Sequence, residues 1–92
     1  MNEHEKKEIE NQLLKLVWKR YIDFGRNDEG QEITLDTDVR KDLNFDSVML
    51  IVLQVDIEDT FHIRFDPIQE DFQQIFTTVR SMSQYVQKCL GE

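Results

Sequence analysis

The sequence predicts an all-α domain of four helices, three longer ones and a short third, with a long loop between the first two. Three observations carry this. The first and last parts of the chain repeat apolar residues at helical spacing. The segment Ser47 to Phe61 holds no Gly or Pro and is apolar on two sides. Between them lies a polar stretch with Gly25 and Gly30 that breaks any periodicity. Ninety-two residues make a single domain, 1–92, with one modest core.

Met1 to about Asp23 reads as the first helix. Ile9, Leu13, Leu16, Val17 and Tyr21 form its inner line, and Leu14 and Trp18 widen the apolar side as core residues. Glu5, Lys6, Lys7, Glu8, Lys15, Lys19 and Arg20 supply a polar face. The connection from Phe24 to Phe45 is long for an empty loop. Ile33, Leu35, Val39 and Leu43 are expected to pin it to the core, with one helical turn over residues 38–42 opened by Asp36.

The central helix has the strongest signal. At about 100° per residue, Leu50, Leu53, Ile57 and Phe61 fall on one side. Val48, Val52 and Val55 fall on the opposite side, flanked by Ile51 and continued by Asp59. Either the helix is buried on both faces or the valine stripe is partly exposed and docks partners. Length favours exposure, because a small domain buries a smaller share of its surface. At the helix entrance Asp46 is a favourable N-cap and Ser47 falls in the first turn. A phosphate there would meet the positive end of the helix dipole, partly opposed by the Asp46 carboxylate. Asn44 stands where the turn needs a left-handed residue.

Downstream, His62-Ile63-Arg64-Phe65 alternates polar and apolar, and Asp66-Pro67 reads as a turn into a short helix over 68–74. Ile68, Phe72 and Ile75 are expected to face inward. Thr77 or Thr78 caps a last helix, about Val79 to Leu90, with Val79, Met82, Val86 and Leu90 as its inner stripe.

The net charge of −8, from 19 acids and 11 bases, argues against a nucleic-acid partner and suits either simple solubility or basic partner surfaces. Cys89 stands alone, so no intrachain disulfide forms, and cytoplasm is the natural compartment. No signal-like or bilayer-length apolar run is expected to engage a membrane, and a monomer is expected. Asp36-Thr37-Asp38 does not continue as a calcium loop, because Arg40, Lys41 and Ser47 fall where a ligand, Gly and a bidentate Glu belong. A serine hydrolase is equally poorly supported. His4 and His62 are the only histidines, and Phe45-Asp46-Ser47-Val48-Met49 lacks the glycines of a nucleophile elbow.

The sequence resembles the acyl and peptidyl carrier proteins through Asp36-Thr37-Asp38, Leu43-Asn44-Phe45-Asp46-Ser47-Val48, Leu53, Glu58 to Ile63 and Phe76-Thr77-Thr78-Val79. The resemblance implies a four-helix bundle, a carrier rather than an enzyme, with 4′-phosphopantetheine from coenzyme A held covalently on Ser47 and Asp46 helping to orient the site. It also implies two kinds of partner: a phosphopantetheinyl transferase, and enzymes that load and use acyl groups in fatty-acid or polyketide-type biosynthesis. Val48, Ile51, Val52 and Val55 would form the docking patch, and Asp56 and Asp59 its charge. Asn44 replaces the Gly of many members. Met49 and Val52 replace acids of the fatty-acid carriers, which makes the partner face less acidic. A peptidyl carrier loaded with an amino acid, or a cofactor-free helical interaction module, are the alternatives.

Overall fold

A computed structural model describes residues 2–25, 31–65 and 71–91. It is a four-helix bundle: α1 (Glu3–Asp23), α2 (Ser47–Phe61), α3 (Phe72–Ile75) and α4 (Val79–Leu90). Among the described residues the only bridge of strand type is an isolated one between Asp38 and Thr78. No described helix is long and apolar enough to cross a membrane.

The expected stripes meet in one core. Ile9, Leu13, Val17 and Tyr21 of α1 are buried with Leu50, Leu53, Ile57 and Phe61 of α2 and Val79, Met82 and Val86 of α4. Full burial of one such side chain contributes about 1.5–3 kcal/mol, so this shared interior dominates the fold. Leu14 and Leu16 pack against it part-buried. Trp18 is not a core residue: it is 40% exposed and stacks on Tyr21 with ring centroids 5.8 Å apart. The inner line advances by four residues, and Trp18 lies one step, about 100°, off Val17. Leu90, the last residue of α4, is likewise exposed, at 44%: among the described residues no element covers it. Phe76, Phe65 and Tyr85 also join the core, outside the expected helical stripes. Phe65 stacks on Tyr85 (4.7 Å) and packs on Phe76 (5.3 Å), which in turn stacks on Phe72 of α3 (4.6 Å).

The long connection is pinned as expected, with Val39 and Leu43 buried and Ile33 and Leu35 packed on the core. Its fastening is to the start of α4. The Arg80 amide donates to the Leu35 carbonyl (2.8 Å), and the Val39 amide to the Thr77 carbonyl (3.1 Å). The helical turn over 38–42 is present, closed by the Asp42 amide on the Asp38 carbonyl at 2.8 Å. Asp36 does not open it. Asp38 does, its Oδ1 accepting from the amides of Arg40 and Lys41, both at 2.9 Å, while Asp36 pairs with Arg80. A carboxylate caps only amides within about three residues of it, and Asp36 is one turn-step too early.

Every helix start has a polar cap: Asn2 for α1, Asp46 for α2, Asp71 for α3 and Thr78 for α4. Of the expected short helix, Ile68 and the rest of residues 66–70 lie outside the described residues; the described part is Phe72–Ile75, with Ile75 buried and Phe72 part-buried. Asp66-Pro67 lies outside them too.

Candidate functional site

The site is built at the entrance of α2. Asn44 adopts φ 58°, the left-handed turn that its sequence position required. That turn delivers Phe45 inward, where it is buried, packs edge-on against Phe24 (6.2 Å) and donates its amide to the Val39 carbonyl at 3.0 Å. With Phe45 fixed, Asp46 reaches the N-cap in extended geometry, and its Oδ1 accepts from the Met49 amide at 3.0 Å. The Asp46 amide is turned toward the Met49 sulfur at 3.3 Å, so the two residues close on each other like a capping box. Met49 is therefore buried and part of the entrance, not of a partner face as its place in the sequence suggested. Of the two residues, only Val52 lies toward the outer surface, half-buried.

Ser47 is the first residue of α2 and is exposed. Among the described residues its hydroxyl has no hydrogen-bond partner. It borders a groove of about 340 Å³ whose lining includes Arg40 from the connection, Phe45, Asp46, Leu50 and Ile51 of α2, and Phe72 of α3. An arm joined to Ser47 fits this place. Ser47 is exposed, the helix start favours an anion, and the groove lining combines one cation, Arg40, with the Asp46 carboxylate and apolar side chains.

From Ser47 the exposed stripe runs down α2. Val48 is 66%, Ile51 55% and Val55 47% exposed, Val52 is half-buried and Asp59 is exposed. At its far end a second hollow of about 570 Å³ is lined by Val55, Glu58, Asp59, His62, Ile63 and Arg64. His62 is solvated and closes α2 with φ 56°. The acids of the helix are not equally placed. Asp56 receives two hydrogen bonds from the Arg20 guanidinium of α1, the Nη2 one at 2.8 Å, and so ties α1 to α2. That hydrogen bond raises the already high pKa of Arg20. Glu58 accepts the Phe65 amide at 2.9 Å. Asp59 is left as the outward carboxylate. Sequence reasoning found the entrance and the stripe but neither Arg20 nor Arg40; both act across the fold, and no local spacing marks them.

The sequence pattern of one family, described as a phosphopantetheine attachment site, matches residues 12–86. No curated protein and no solved structure matches the chain.

Proposed function

The chain belongs to the phosphopantetheine-attachment family of carrier proteins, which bear a covalent arm on a serine and are not catalysts, and we propose that Ser47 is the serine that bears it. The molecule is an acyl carrier protein: the bound arm supplies a terminal thiol that holds acyl groups as thioesters. Accessibility carries the choice of serine. The chain has three, Ser47, Ser81 and Ser83. Ser83 is fully buried. Ser81 gives its hydroxyl to the Ile75 carbonyl (2.6 Å) and also accepts the Thr78 amide as part of the α4 cap (3.0 Å). Only Ser47 is open to a second protein.

A phosphopantetheinyl transferase would join the Ser47 Oγ to the pantetheine-bearing phosphorus of coenzyme A. The pyrophosphate link breaks, adenosine 3′,5′-bisphosphate leaves, and the hydroxyl proton passes to a base. Asp46 orients this end by fixing the first turn. An enzyme that reaches Ser47 must lie over the residues beside it, so Val48, Ile51, Val52 and Val55 form the docking patch, with Asp59 as its charge. Asp56 acts at this surface mainly by positioning α2 through Arg20. Holding the arm over an exposed strip raises the effective concentration of cargo at each docked enzyme. Such an interface is small, as suits partners that bind and leave in turn. Fatty-acid or polyketide-type biosynthesis is the setting this reading favours.

The test is intact mass after incubation with coenzyme A, Mg²⁺ and a broad-specificity transferase. One phosphopantetheine on the wild type and none on folded Ser47→Ala supports the assignment. An unmodified wild type, or a modified Ser47→Ala, refutes it.

A further inference from the structure

Arg40 occupies an unusual place. Its backbone belongs to the turn that Asp38 caps, and its half-buried side chain crosses to α3. There Nη2 donates to the Gln73 carbonyl at 2.9 Å and to the Thr77 hydroxyl at 3.4 Å. Among the described residues no carboxylate pairs with it, in a chain where acids outnumber bases 19 to 11. A guanidinium has five N–H donors, and those on Nε and Nη1 have no acceptor among the described residues. Arg40 is the one cation among the residues lining the groove that Ser47 borders.

Resting on the assignment of Ser47, we infer that Arg40 is the counter-ion of the phosphodiester that joins the arm to the protein. Attachment sets a second negative charge beside the Asp46 carboxylate, which is already fixed at the helix start by the Met49 amide. The helix end offers only about half a positive charge against the two. A guanidinium anchored by Nη2 keeps its charge and the Nε and Nη1 donors for single hydrogen bonds to phosphate oxygens. Its anchor on α3 also means that a phosphodiester held by Arg40 would draw the first part of the arm along the groove, and not straight out into solvent.

The experiment compares apo and holo forms of the wild type, Arg40→Gln and Arg40→Lys, with the arm verified by mass. In the wild type, adding the arm shifts the Arg40 Nε–H resonance and raises the folding equilibrium constant, read from urea unfolding, by about two- to five-fold, the range of a partly exposed ion pair. Arg40→Gln abolishes the difference between apo and holo, and Arg40→Lys retains part of it. If Arg40 serves only to hold Gln73 and Thr77, Arg40→Gln lowers apo and holo stability equally and the wild-type Nε–H resonance does not move; either result overturns the inference. The resonance in the wild type decides the matter even if the Gln variant fails to fold. A wild type that takes up no arm refutes the Ser47 assignment itself, a failure distinguishable by mass alone.

Discussion

Ile51 is a residue of α2 at which docking and folding can be separated. It sits one helical turn beyond Ser47, borders the same groove and is 55% exposed. Covering a whole isoleucine is worth about 1.5–3 kcal/mol, so a partner that covers the open half gains about 1 kcal/mol from it. Truncation to Ala removes most of that gain. The expected cost is about a five-fold drop in kcat/KM for arm transfer, with kcat little changed if the contact acts equally in ground and transition states. Folding responds in the opposite sense: Ala is the better helix former, so stability rises by up to about 0.4 kcal/mol. Leu53 is the control, since it is fully buried two residues away. Leu53→Ala should lose about 2–5 kcal/mol of stability. Steady-state transfer followed by mass, beside urea unfolding of each variant, reads both quantities. If Ile51→Ala destabilises the fold by more than 1 kcal/mol, or leaves kcat/KM untouched, the exposed stripe is not the surface that the transferase covers.

Three further outcomes follow from the fold. Asp56→Asn leaves the Arg20 guanidinium short of its charged partner between α1 and α2, so urea unfolding should show a loss of about 1–2 kcal/mol, with arm transfer affected less than by Ile51→Ala. Asn44→Gly should be close to neutral, whereas Asn44→Ala should cost about 1 kcal/mol by thermal unfolding, since its φ of 58° disfavours a Cβ without a local polar group. The Arg80 hydrogen bond and charge hold the Asp36 carboxyl below its ordinary pKa of 3.8. Its contribution is therefore present above that value and disappears as the pH falls through the lowered one. The gap in urea midpoint between wild type and Asp36→Asn should be small, constant near neutrality and closed in strong acid; a gap that widens on acidification would contradict the pairing.

What was legible in the sequence was whatever repeats at helical spacing or is decided within a few residues. The core lines of α1 and α2, the left-handed Asn44, the Asp46 cap and the outward valines belong to this class, because periodicity and capping are local. Other residues depart from the expected places for physical reasons. Trp18 and Leu90 are apolar but lie at the edge of a face or beyond the last covering element, and hydrophobicity alone does not register where cover stops. Met49 was read by analogy with acids of related carriers, yet its thioether bends back to the Asp46 amide. Asp36 and Asp38 were interchangeable in the sequence until Arg80 arrived from far along the chain. The same distance hid Arg20 and Arg40. Long-range polar contacts leave no periodic trace: the Arg20–Asp56 pair orients α2, and Arg40, bonded to Gln73 and Thr77, furnishes its groove.

The chain of amides that fastens the connection to α4 has a consequence for how this surface comes into being. Phe45 leans on Val39, Val39 on Thr77, and Leu35 receives Arg80. The approach to the first turn of α2 is complete only when the start of α4 is docked, because these bonds join residues far apart in the chain. Hydrogen exchange at Val39 and Arg80 should thus report whether the serine is presented correctly, even though neither amide touches it. A shortened chain lacking α4 would lose the address at which a modifying enzyme finds the first turn of α2.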